Sequence, residues 1–282
     1  MQLGHWQLDT VNGGQFRIDG GVMFGVVPKS LWGPIAPADP HNRVLCANHC
    51  LLARDGRHRV LIDTGCGIKF GPLERRYYDL EPGDPLLESL MALGVAAEDI
   101  DCVVFSHLHF DHIGGATRRD QQGRLVPTFP TARHFVGRIE WNDAVGDALE
   151  LRTAYARDDL LQLQHSVPLS LLEDGQEVLP GITVRVTGGH TRGHLAIILQ
   201  SNGQGVVYPG DLCPTTAHIR RFWCTAYDVH LAETRRRKPL LLGEAADRQW
   251  LVIWNHDPRV AASRVQHHPK REFVVCEPQA RL

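Results

Sequence analysis

FSHLHFDHIGG, residues 105–115, is the stretch that decides what this chain folds into. It closes an apolar run, IDCVVFS (100–106), whose near-continuous hydrophobicity predicts a strand covered on both faces. Four groups able to ligate a cation then follow at His107, His109, Asp111 and His112, and Gly114-Gly115 lets the chain turn. Imidazole suits zinc and other borderline metals, and carboxylate suits harder ones. So many such groups this close repel one another when charged and are costly to desolvate unless a cation organises them. A histidine-rich surface turn is the bland alternative, but the buried strand in front of it argues for a metal-binding loop.

Outward from this loop, short β-rich runs end in turn residues: QFRID (15–19), VLCANHCLLA (44–53), HRVLID (58–63), ITVRVT (182–187), HLAIILQ (194–200), GVVYP (205–209) and WLVIWN (250–255). Between them lie helical stretches at 138–146, 148–164, 229–238 and 241–249. The clearest helix is PLLESLMAL (85–93), with Asp84 as N-cap, Pro85 as first helical residue and Gly94 as the C-terminal stop. Periodicity alone gives a mixed α and β chain.

The 282 residues suit one large domain or two small ones, and 43% hydrophobic with 22% charged residues is ordinary for a globular enzyme. A formal net charge of −2 makes no case for nucleic acid. The one basic run, RRRK (235–238), would spread around a helix as a solvated face. MQLGHWQLDT lacks the basic and apolar regions of a secretion signal, and no run reaches the about 18 apolar residues of a membrane helix. Seven cysteines without a C-x-x-C pair read as reduced thiols. A cytoplasmic protein is expected.

The H-x-H-x-D-H pattern resembles the signature of the metallo-β-lactamase superfamily, and the resemblance continues down the chain. Its later ligand positions are matched by His190 in TGGHTRGH (187–194), Asp211 in YPGDL (208–212) and His256 in WNHDP (254–258), and its early structural aspartate by Asp63 in LIDTG (61–65). The resemblance implies an αββα sandwich of the α+β class, formed as a single domain over 1–282. It also implies two divalent metal ions, zinc by default, with manganese, iron or cobalt as alternatives. His107, His109 and His190 would hold the first and Asp111, His112 and His256 the second, with Asp211 bridging. Histidine at 109 argues against the oxygen-reducing diiron branch, which carries glutamate there. Aspartate at 211 argues against the true β-lactamases, which tend to carry cysteine. The implied chemistry is attack by a metal-bridging hydroxide on a carbonyl or phosphoryl centre. Asp111 would pass a proton to the leaving oxygen and Tyr227, in TAYD (225–228), would stabilise the oxyanion.

DGGVMFGVVPKSLW (19–32), NRVLCANHCLLA (42–53) and PTFPTARHFVGRIEW (127–141) look like a lactonase-type subgroup, the YtnP-like quorum-quenching N-acyl homoserine lactonases. A small-molecule ester or lactone is then the expected substrate. The alternatives are a phosphotriesterase or arylesterase of the methyl parathion hydrolase type, or an iron-dependent thiol dioxygenase. The segment at about 19–45 is expected to form a substrate-pocket loop or a homodimer contact. Met23, Phe24, His218, Phe222 and Trp223 are the candidate pocket residues, against a plain role in packing. Arg192 and His194 flank the ligand loop with roles left open.

Overall fold

Residues 1–148 and 155–282 are described by the structure, a computed structural model. Two seven-stranded sheets carry the fold, and in each the strands lie side by side in chain order. The first takes Gln2–Leu3, Trp6–Asn12, His49–Arg54, Arg59–Ile62, Cys102–Val104, Arg133–Gly137 and Leu169–Leu172. It changes from antiparallel to parallel pairing at Arg59–Ile62. The second runs from Glu177–Leu179 to Glu272–Gln279 and is antiparallel except where Gln204–Tyr208 meets Leu251–Ile253.

The continuous apolar strands are the ones covered twice. Leu51, Ile62 and Val104 of the first sheet meet Ile197, Val206 and Ile253 of the second, all buried. Helices Pro85–Ala92, Arg138–Val145 and Arg157–Ser166 cover the outer face of the first sheet, and Leu231–Asp247 covers that of the second. This is the expected αββα sandwich. Among the described residues no helix is long and apolar enough to cross a membrane, and all seven cysteines are free.

Most expected elements form within a residue or two. Asp84 caps its helix through Leu87 N (3.2 Å), and Gly94 sits at φ +71°, a conformation that suits glycine. Two readings need correction. The run at 44–53 is two strands, Arg43–Cys46 and His49–Arg54. Between them Ala47 N and His49 N donate to His256 O (3.3 Å) and Asn255 O (2.8 Å), so the break is where the chain meets the last ligand loop. Arg43–Cys46 instead pairs with Phe16–Asp19 in a separate ribbon over the strand ends. The helices at 229–238 and 241–249 are one helix with Pro239 inside it. Of the stretch at 148–164, residues 149–154 lie outside the described residues, and the helix described there is Arg157–Ser166.

Candidate metal centre

The strand Cys102–Val104 delivers the ligand loop, and Asp63, following the neighbouring strand, fixes it. The Asp63 carboxylate, at a left-handed φ of +56°, accepts Ser106 N (2.7 Å), Ser106 Oγ (2.7 Å) and His112 Nδ1 (2.8 Å). His112 Nε2 therefore faces the other way, into the cluster. His190 and His256 are aimed by the same device. His190 Nδ1 donates to Asp228 Oδ1 (2.9 Å) and His256 Nδ1 to Ala47 O (2.8 Å). Fixing one ring nitrogen this way sets the tautomer and presents the other as a donor lone pair.

Three groups of side chains converge: His107, His109 and His190; Asp111, His112 and His256; and His107, His112 and Asp211. Within each, the potential ligand atoms lie inside 4.8 Å of one another. His109 Nδ1 and His190 Nε2 face each other at 3.0 Å. Asp211 reaches both flanks, with Oδ2 3.3 Å from His190 Nε2 and Oδ1 3.1 Å from His256 Nε2. Asn255 Nδ2 donates to Asp211 Oδ1 at 2.6 Å and fixes the carboxylate.

A divalent cation fits this donor set. Among the described residues the Nε2 atoms of His107, His112 and His256 are buried with no well-aligned hydrogen bond, a costly arrangement for polar groups unless something else engages them. Burial, aided by the neighbouring imidazoles, pushes the pKa of His107 and His109 well below the usual value, so both are neutral and free to ligate. Burial opposes protonation of His112 too, but Asp111, Asp211 and Asp63 outweigh it. Asp211 is the converse: burial disfavours its charge, yet His256, His112 and His190 hold its carboxyl well below the carboxylate range.

Above the cluster opens a mainly apolar cavity of about 130 Å³. Its floor is His109, Asp111, His190, Asp211 and His256. Its walls include Met23, a candidate pocket residue, and Tyr227, the candidate oxyanion donor, together with Phe16, Ile18, Tyr78 and Phe110, which the sequence did not single out. The Tyr227 ring is half-exposed and 6.4 Å from that of His109.

The other expected pocket residues lie outside this lining. Phe24 is stacked behind the wall between Trp32 (5.1 Å) and His218 (5.1 Å), with Trp223 edge-on at 5.8 Å. His218 is buried, joining Thr215 Oγ1 (2.7 Å) to Met23 O (3.0 Å). Phe222 is 64% exposed and lies under the Arg235 guanidinium. The segment's large side chains thus divide between cavity wall, supporting layer and surface. Their apolar character alone carries no direction.

Arg192 turns away from the cavity to pair with Asp143 (2.9 Å). His194 is structural: its Nε2 accepts the backbone N–H of Asp211 (3.0 Å) and so shapes the loop presenting that carboxylate. In the RRRK run Arg236 and Arg237 pair with Glu233, and Lys238 is buried.

Sequence reading missed Asp228, Asn255, Tyr78 and Glu140. Glu140, fully buried, accepts Leu108 N (3.0 Å) and Thr191 Oγ1 (2.5 Å), tying together the loops of the first group. Gly193 packs so tightly on it that an added Cβ would lie 2.0 Å from Glu140 N. Asp228 had a faint signal in its place beside Tyr227; Glu140 had none.

A family model for the metallo-beta-lactamase superfamily matches residues 43–238, more than half the chain, and the chain belongs to that superfamily. An N-acyl homoserine lactonase of Bacillus cereus is 27% identical over 124 residues, which is 44% of this chain but only 42% of that protein. A probable metallo-hydrolase of Mycobacterium tuberculosis, Rv2300c, is 28% identical over 67% of this chain and 66% of its own length. Among solved structures, a probable metal-dependent hydrolase from Staphylococcus aureus superposes with a TM-score of 0.85 at 29% identity, over 99% of this chain and 100% of that one. AidC, a dizinc quorum-quenching lactonase in complex with a product, superposes with a TM-score of 0.80 at 20% identity, over 99% and 96%. At that identity the likeness concerns the fold.

Proposed function

We propose that this chain is a dinuclear zinc lactonase that opens N-acyl homoserine lactones. The observation that carries the dinuclear reading is the pair of ligand groups, His107/His109/His190 and Asp111/His112/His256, with Asp211 between them. The lactone reading rests on the small apolar cavity with a phenol beside the cluster, and on the lactonases among the relatives.

Two divalent ions held by these residues would supply hydroxide near neutral pH and polarise the substrate carbonyl. The protein's own groups do the rest. Phe16, Ile18 and Met23 exclude bulk water around the substrate, which strengthens each polar contact in the cavity. Burial raises the pKa of Tyr227, helped by the Asp111 charge, so its hydroxyl remains a donor for the developing oxyanion. Asp111 holds the proton released when water adds to the carbonyl. As the ring C–O bond breaks it gives that proton to the leaving alkoxide, and the carboxylic acid formed loses its own proton to solvent, so a carboxylate and an alcohol result.

The test is hydrolysis of short- and long-chain N-acyl homoserine lactones by zinc-loaded protein, beside a phosphotriester, with Asp211→Ala as control. Fast lactone turnover that vanishes in the variant is expected, with two zinc ions per chain by elemental analysis. Phosphotriester cleavage without lactone turnover would move the substrate to that class, and oxygen uptake by iron-containing protein would overturn the hydrolytic reading.

A further inference from the structure

A second phenol, Tyr78, stands in the cavity wall with Tyr227 and Phe110. It ends the short helix Pro72–Tyr78, whose position is fixed from outside. Arg43 Nη1 caps the last carbonyls at Arg76 O (3.1 Å) and Tyr77 O (2.6 Å). Asp79, left-handed at φ +48°, pairs with Arg17 (3.0 Å) on the ribbon that supplies Phe16 and Ile18. The Tyr78 ring is held by Phe110 (5.0 Å), Tyr77 (4.9 Å) and Phe70 (6.2 Å). Aromatic contacts on several sides leave such a ring little rotational freedom.

A plain packing role would be served by phenylalanine. Here no side-chain hydrogen bond from a described residue engages the Tyr78 or the Tyr227 hydroxyl. Burial, with Tyr227, Tyr77 and Asp111 adding to it, pushes the Tyr78 pKa up to about 12. Its hydroxyl is a neutral donor carried on a ring held in the cavity wall, half-buried and open to a ligand acceptor.

Tyr227 stands beside His109 and therefore beside the reacting carbonyl. Tyr78 is carried by a different element. We infer that Tyr78 Oη donates to a second acceptor on the substrate, the acyl-amide carbonyl next to the lactone ring, and selects amide-bearing lactones over simple alkyl lactones. This deepens the lactonase reading and rests on it.

The test compares wild type with Tyr78→Phe, which keeps the ring packing, on an N-acyl homoserine lactone and on an alkyl γ-lactone of matched length. One neutral hydrogen bond corresponds to a change of about three- to tenfold. The amide-bearing lactone should show that rise in KM with kcat within about twofold, and the alkyl lactone neither change. Tyr227→Phe should instead lower kcat on both. An equal rise in KM on both substrates, or no rise on either, would overturn the role of Tyr78 alone. Absence of lactone turnover by the wild type would overturn it together with the lactonase reading.

Discussion

At the scale of single residues, the ligands are only as good as the groups that aim them. Asp228 accepts from both His190 Nδ1 (2.9 Å) and Thr225 Oγ1 (2.8 Å), so its carboxylate is itself held before it orients the imidazole. Asp228→Asn keeps the shape but weakens the acceptor, and zinc affinity of the first group should fall by about 10–100-fold in a chelator competition. An unchanged affinity would mean that His190 is aimed by the backbone instead. The ligands were legible because cations impose short, type-specific spacings on a sequence. Asp228, Asn255 and Glu140 were not, because an orienting group need only offer one acceptor or donor at the right place. Tyr78 shows the same limit, since a tyrosine at a helix end reads alike whether it faces solvent or a cavity.

At the scale of elements, Leu231–Asp247 does more than cover a sheet. Its Lys238, 1% exposed, donates Nζ to Trp223 O (2.5 Å), pinning the loop that carries Tyr227 and Asp228 to the helix. Lys238→Met keeps the aliphatic packing and leaves that carbonyl unpaired. The cost should be about 1–3 kcal/mol, or a melting temperature lower by roughly 2–5 °C by calorimetry. The sequence divided this helix at Pro239 because proline has no N–H for the i−4 carbonyl and crowds it. Tertiary packing wins: Pro239, Leu241 and Leu242 are all buried, and burying such side chains offsets one missing bond. The 44–53 run failed the other way. Its apolar pattern gave no sign that Asn48 sits where the chain leaves the ribbon and joins the sheet.

For the whole molecule, the cluster concentrates like and unlike charges that a bound cation reconciles. Stripping the metal with a chelator should lower the melting temperature by about 7 °C for one site held at a thousandfold excess over its Kd. A chelator-insensitive melting curve would count against resident metal. Acid should act through a second route. Burial lowers the pKa of His134 and of His218 to about 4 from the ordinary 6.5. Between those values the unfolded chain takes up protons that the folded chain refuses, so stability is complete above pH 6.5 and declines as pH falls toward 4. Each histidine contributes up to about 3 kcal/mol of that decline. In His134→Phe, denaturant titrations at pH 7 and pH 4.5 should differ less than in wild type; an equal difference would assign the acid sensitivity elsewhere.

The strands of the first sheet come from residues 2–172 and those of the second from residues 177–279. During synthesis the ribosome therefore releases His107, His109, Asp111 and His112 well before His190, Asp211 and His256. The first group is complete only once His190 has been made, and the second only once His256 has. A chain stalled before His190 holds only fragments of each. The order of the candidate ligands along the chain thus sets the order in which the two groups can first hold a cation.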